Sequence, residues 1–203
     1  VNDSILLWDE KERKLQYFLD TGDTVKYIHS VYKDSVGNWW IASNTGLYKW
    51  EDRQWHCIIS DTNIWGIYES RSKELWISTN IGLYKINGEG EITHFAHDPT
   101  SPNSISCNQV RKVVEDWNGN FWIGTFKGLN KYSPKENKFE VYVEGFLPGS
   151  LRHSSIHSMM LDKQGNVWVG TYYGGASMFT PGKQPYSYYP VGMSEWGHLD
   201  FHM

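Results

Sequence analysis

Apolar and polar positions recur along the chain in one fixed order, four times over. Each unit opens on two apolar residues three apart: Ile28 and Val31, Ile64 and Ile67, Val110 and Val113, Ile156 and Met159. A tryptophan follows (Trp40, Trp76, Trp122, Trp168), and six residues beyond each stands a glycine (Gly46, Gly82, Gly128, Gly174). Three of the tryptophans are preceded, six residues earlier, by Asp34, Asp116 and Asp162, and those intervals read DSVGNWW, DWNGNFW and DKQGNVW. After the tryptophans come IASNTGLY, ISTNIGLY, IGTFKGLN and VGTYYGGA. The tryptophans are separated by 36, 46 and 46 residues, close to the period of a four-stranded propeller blade.

The pattern predicts four strands per unit. The apolar pair marks an inner strand. Asp-x-x-Gly-Asn marks a hairpin, in which the Asp caps the first amides and the Gly takes the positive-φ position. The next strand carries the tryptophan, whose large apolar surface is best placed between packed sheets. A second turn at Asn44-Thr45-Gly46 and its equivalents leads to a third strand, and an outer strand carries Trp55, Phe95, Phe139 or Tyr188. The second unit departs: its turn, Ser70-Arg71-Ser72-Lys73-Glu74, lacks both the Asp and the Gly, so a differently built hairpin is expected. The fold read from this is an all-β propeller of about four four-stranded antiparallel blades plus a partial blade. Residues 1–20 are outer strands of a preceding blade. Residues 21–60, 61–98, 99–145 and 146–190 are the four blades, and 191–203 is an unassigned tail. Such an arc is a fragment of a larger ring, closed by further blades of the same chain or by a second copy.

Composition supports this reading. Aromatics make up 16% of the 203 residues, with 11 Trp and 13 Tyr among them, and no stretch is rich in strong helix formers; aromatic runs broken by Gly, Asn and Asp are β-sheet composition. A net charge of −4 supplies no basic face for nucleic acid. No segment is apolar enough to span a bilayer, so a membrane enters only through a parent protein. The chain opens on Val1 rather than Met, which reads as a piece of something longer. Cys57 and Cys107 are too few for a disulfide framework and read as unpaired buried thiols, with their oxidation state open.

Two longer matches carry a family resemblance. D-x-x-G-N-x-W-[IV]-G-T-x-x-G-L runs nearly whole through Asp116–Leu129 and Asp162–Gly174, and the connector His97-Asp98-Pro99-Thr100-Ser101-Pro102-Asn103-Ser104-Ile105-Ser106 lies between an outer strand and the next inner one. Over roughly residues 5 to 190 the chain resembles the two-component regulator propeller repeats. The resemblance implies seven-bladed propellers in the periplasmic part of an inner-membrane sensor. It also implies a transmembrane helix leading to a histidine kinase, a receiver and a DNA-binding module, and ligands that are oligosaccharides whose detection controls transcription. None of the kinase parts is in this sequence, so this segment is expected to be non-catalytic and without cofactors. The alternative is a stand-alone propeller acting as a lectin or protein-interaction scaffold; a propeller lyase or hydrolase ranks third.

Candidate site residues follow from aligning the units. His29, Trp65, Arg111 and His157 fall at one position of the four inner strands. A core position would be uniformly apolar, whereas these side chains hydrogen-bond and stack, as sugar ligands require. Loops Asn44-Thr45, Asn80-Ile81, Phe126-Lys127 and Tyr172-Tyr173 are expected on the same face, as is the connector holding Arg152 and His153. The candidate ligand-binding set is therefore His29, Trp65, Arg111, His157, Tyr172, Tyr173, Arg152 and His153. The blade tryptophans read as core, because they repeat at an identical position. Each Asp-x-x-Gly-Asn turn offers one acid where calcium needs several oxygens. The spaced pairs His94/His97, His153/His157 and His198/His202 sit in no zinc-binding motif, so no metal is expected.

Overall fold

The computed structural model describes residues 4–20, 25, 27–145, 150–183, 187–189, 192–193 and 199–200. Among these there are only strands, turns and loops, and no helix long and apolar enough to cross a membrane. The first unit is β3 (Ile28–Lys33), β4 (Trp39–Ser43), β5 (Gly46–Glu51) and β6 (Gln54–Ser60), and the second is β7 (Ile64–Glu69), β8 (Leu75–Thr79), β9 (Leu83–Ile86) and β10 (Ile92–Phe95). The third is β11 (Val110–Glu115), β12 (Phe121–Thr125), β13 (Gly128–Ser133) and β14 (Lys138–Tyr142), and the fourth β15 (Ile156–Leu161), β16 (Val167–Thr171), β17 (Ala176–Phe179) and β18 (Ser187–Tyr189). Each unit is one antiparallel four-stranded sheet in sequential order, as a propeller blade is. Before them, β1 (Ser4–Asp9) and β2 (Lys14–Asp20) form a two-stranded antiparallel sheet. After them, β19 (Gly192–Met193) pairs with β20 (Leu199–Asp200), while His198 and His202 lie outside the described residues.

Inner strands β3, β7, β11 and β15 follow one another as neighbours, and the core lies between consecutive blades. Trp40, Leu47 and Ile59 pack with Ile64, Leu75 and Ile77 of the next sheet. Trp76 stacks on Phe121 at 4.1 Å between ring centroids, and Trp122 meets Phe179 edge-on at 4.5 Å. Trp40, Trp76 and Trp122 thus fill the gap between blades, where a broad apolar side chain excludes the most water; Trp168, in the fourth blade, is half-buried and belongs to no core cluster of the described residues.

The Asp-x-x-Gly-Asn hairpin explains why Asp and Trp stand six apart. One oxygen of Asp116 accepts the backbone N–H groups of Asn118 and Asn120, both at 2.9 Å, and the other accepts Trp122 Nε1, also at 2.9 Å. Asp34 and Asp162 hold Trp40 and Trp168 in the same way, at 2.9 Å each. The hydrogen bond from Trp168, with those from Asn166 and Gln164, draws the Asp162 carboxyl down to about 2, so the acceptor is charged at any physiological pH. For Asp34 burial acts in the opposite direction, but bonds from Trp40, Asn38 and Val36 still leave its carboxyl below the ordinary range. Gly37, Gly119 and Gly165 adopt φ of 101°, 82° and 84°.

The second-blade hairpin is built on the same plan, contrary to the expectation from its sequence. Ser70 N–H donates to Glu74 O and Lys73 N–H to Ser70 O, as in the other turns. Ser70 Oγ accepts Glu74 N–H at 3.0 Å in place of the first carboxylate oxygen, and Lys73 takes the glycine position at φ 65°. A hydroxyl has one oxygen where a carboxylate has two, and Trp76 Nε1 is left buried without a hydrogen-bond partner. A lysine held left-handed costs on the order of 1 kcal/mol. Lys73→Gly is therefore expected to raise stability by about 1 kcal/mol, read as an upward shift of the urea midpoint at unchanged slope.

A second correction concerns the fourth blade. Gly46 and Gly128 open the third strand of their blades and Gly82 immediately precedes its own, but in the fourth blade the equivalent residue is Gly175 rather than Gly174. Thr171 N–H bonds to Gly175 O, whereas in the second blade Thr79 N–H bonds to Gly82 O. That loop is one residue longer. Both thiols are free, but Cys57 is exposed and Cys107 half-buried rather than buried; Cys57 sits on β6, the outermost strand of its sheet.

Two clasps tie blades at one end of the inner strands. Glu69 accepts from Tyr32 Oη at 2.9 Å and from Ser35 Oγ at 2.6 Å. Glu115 accepts Arg71 N at 2.8 Å and pairs with its guanidinium at 3.0 Å. Burial first, and then the bond to Glu69, pushes the Tyr32 hydroxyl up to about 12, so it remains a donor.

A candidate ligand site on the bulged inner strands

Each inner strand carries one β-bulge, at the same place. The pairing skips a residue between Ile28 and Ser30, Ile64 and Gly66, Val110 and Lys112, and Ile156 and Ser158. The residues left over are His29, Trp65, Arg111 and His157. A bulge sets two residues against one, bends the strand and re-aims a side chain. It also lets the flanking apolar residues, three apart, both face the core; Val110 and Val113 share one core cluster, Ile156 and Met159 another. Opposite the bulges stand Ala42, Ser78, Gly124 and Gly170. A Cβ on Gly124 would come within 2.6 Å of Ile156 Cγ2 in the next blade, so a small residue there admits the neighbouring inner strand.

The four bulge residues line one open cavity of about 390 Å³. His29 is exposed, and its Nδ1–H donates to the Ile64 carbonyl at 3.0 Å, which orients the ring. Trp65 and Arg111 are half-buried. The guanidinium carbon of Arg111 lies 4.1 Å from the Phe126 ring centroid and 5.5 Å from that of Trp65. Trp65 and Phe126 are themselves 5.7 Å apart.

The other candidates gather beside the fourth wall. Tyr172 lies 6.4 Å from His157 and 4.5 Å from Tyr173, ring to ring, and Tyr173 meets His153 edge-on at 5.9 Å. Tyr172 and Tyr173 are 58% and 82% exposed, an unusual degree for adjacent tyrosines. Arg152 is exposed and lies against the Gly174 turn. These four are not among the residues lining the cavity. Phe126 stands in one of the loops expected on this face yet was absent from the candidate set, and it supports Arg111; its sequence signal was an aromatic at a loop position where the first two blades carry Asn. Among the described residues no group of three His, Cys, Asp or Glu side chains is placed to hold a metal ion.

Residues 150–173 match the family model of the two component regulator propeller. This stretch is similar to a two-component regulator propeller repeat. It runs from the connector through β15 and β16 to the tyrosine loop, so Arg152, His153, His157, Tyr172 and Tyr173 all lie within it. No curated protein matches the chain. Among solved structures it is similar to the extracellular domain ascribed to hybrid two component system BT4673 from B. thetaiotaomicron, with a TM-score of 0.69 at 20% identity over 87% of this chain and 24% of that one. It is also similar to virginiamycin B lyase from Staphylococcus aureus, with a TM-score of 0.67 at 11% identity over 94% of this chain and 64% of the lyase. PorZ, a surface component of the type-IX secretion system of Porphyromonas gingivalis, gives 0.61 at 14% identity over 83% of this chain and 29% of that one. The chain thus spans about a quarter of the BT4673 domain. These likenesses show the propeller fold, and the matched stretch supplies the first two strands of its fourth blade.

Proposed function

We propose that this chain is a segment of the extracytoplasmic sensing region of a hybrid two-component histidine kinase. It binds an oligosaccharide on its bulged face and passes the signal across the membrane to control transcription. In this reading the segment itself is non-catalytic, and its ring is completed by further blades or by a second copy. The observation that carries the proposal is that four bulges, one per blade, present His29, Trp65, Arg111 and His157 to one cavity. The regulator-propeller repeat that supplies His157 supports the signalling half. Loop-rich faces on rigid scaffolds are where binding residues concentrate, and an aromatic flanked by hydrogen-bonding side chains suits the apolar face and hydroxyl edge of a sugar ring.

Calorimetric titration of the 203-residue chain with a panel of neutral and acidic oligosaccharides tests this. One class is expected to bind saturably, with affinity reduced at least about tenfold by Trp65→Ala, the loss of one stacking contact. Absence of binding across the panel, or binding indifferent to Trp65→Ala, overturns the reading.

A further inference from the structure

We propose that the cavity is built for an anionic ligand, a sugar bearing a carboxylate or sulfate, held by the guanidinium of Arg111. This rests on the ligand-sensing reading and narrows it to acidic saccharides.

The argument begins with a charge that lacks a counter-charge. The cavity is lined by one arginine, two histidines and a tryptophan, with no carboxylate among them. The ion pairs among the described residues involve Lys14, Lys49, Arg71, Lys85 and Lys131, and not Arg111. Arg111 Nε is buried and has no hydrogen-bond partner. Charged groups withdrawn from water are ordinarily paired or hydrogen-bonded, because an unpaired buried donor retains its full desolvation cost. Here Nε is withdrawn from water, and no described residue supplies it an acceptor.

The surroundings fix the group instead. Phe126 at 4.1 Å and Trp65 at 5.5 Å hold it by stacking and cation–π attraction, which orders the planar fork without using its N–H edges. A fork held in that way is prepared for the two oxygens of a carboxylate or sulfate. His29 adds to the selectivity: its Nδ1–H is committed to the Ile64 carbonyl, so Nε2 is the nitrogen left for a ligand hydroxyl. The net charge of −4 sharpens the test, since the chain as a whole repels anions and attraction must come from the cavity.

The test is calorimetric titration of the 203-residue chain with two matched pairs: α-1,4-trigalacturonate against its methyl ester, and neocarrabiose 4-sulfate against neocarrabiose. Within a pair the rings and linkages are the same, and the charged group is replaced by a neutral methyl ester or hydroxyl; the first pair tests a carboxylate and the second a sulfate. At least one acidic member is expected to bind at least about tenfold more tightly than its neutral partner. That affinity should fall as salt is raised from about 0.05 to about 0.5 M. Arg111→Gln should weaken it at least about tenfold, and Arg111→Lys, which keeps the charge but loses the planar fork, should recover only part of it. Thermal melts of both variants confirm that they fold. Neutral members binding as tightly as acidic ones, or binding that Arg111→Gln alters by less than about twofold, overturns the inference. If such neutral binding still depends on Trp65, the sensing reading stands alone. If neither pair binds, the inference fails by itself, and the wider panel decides the sensing reading.

Discussion

Asp116→Ala is expected to destabilise the protein by about 3–5 kcal/mol, the largest effect of any single polar truncation in these blades. Asp116 is fully buried, and its two oxygens serve Asn118 N–H, Asn120 N–H, the Asn120 amide and Trp122 Nε1. Truncation leaves several donors without an acceptor, and each stranded buried donor costs roughly 1–3 kcal/mol. The damage does not stay in the turn, because Trp122 packs against Phe179 and Tyr142 on the way to the next blade. Urea unfolding followed by tryptophan fluorescence measures the loss. Trp122→Phe placed on top of Asp116→Ala removes the stranded indole N–H and should recover about 1 kcal/mol. If Asp116→Ala costs no more than an exposed turn residue does, the carboxylate is not what joins the hairpin to the inter-blade core. The second blade already shows the arrangement without it, since Trp76 has no acceptor where Ser70 replaces the aspartate.

Gly46→Ala is expected to cost about 3 kcal/mol. A Cβ at this position would stand 2.2 Å from the backbone oxygen of Ile59 and 3.4 Å from Ser60 Cα. The obstacle is the main chain of β6, so no side-chain rotation relieves it and the outer strand must move off the sheet. The same close approach recurs at Gly82 against Phe95 O, 2.6 Å, and at Gly128 against Tyr142 O, 2.8 Å. Gly37 supplies the comparison: a Cβ there meets nothing within 4 Å, but φ is 101°, so Gly37→Ala should lose only about 1 kcal/mol of backbone strain. Denaturant midpoints of the two variants separate these causes. Equal losses would mean that the shared cost is conformational and that the close approach to β6 contributes nothing.

Those two residues also show which parts of the molecule are local. Trp40 recurs in every later blade, Asp34 in the third and fourth, and Gly46 at the same spacing in the second and third, because each answers a contact inside one blade: an oxygen for an indole, a missing Cβ for a carbonyl. Such requirements repeat whenever the sheet repeats, so they are visible in one sequence without any structure. The second-blade hairpin was misread because side-chain identity is a poorer guide than geometry. Serine can offer the first oxygen and lysine can adopt a left-handed backbone, so the turn survives without its usual residues.

The amino-acid sequence by itself determined the four repeats of this chain, the order of strands within each, the burial of Trp40, Trp76 and Trp122 and the alignment that put His29, Trp65, Arg111 and His157 at one position. These follow from period and hydrophobic pattern, which are properties of neighbours along the chain. The spacing of three between the flanking apolar residues is accommodated by the bulge that the structure places between them, because strict alternation would point one of them away from the core. Only the tertiary structure decided that the four side chains line one cavity, that Phe126 stacks on Arg111, and that no carboxylate among the described residues pairs with that arginine. Those facts depend on how consecutive blades are set beside one another, across 36 to 46 residues of intervening chain. Charge pairing is decided in space, and no spacing along the sequence records an ion pair that is missing.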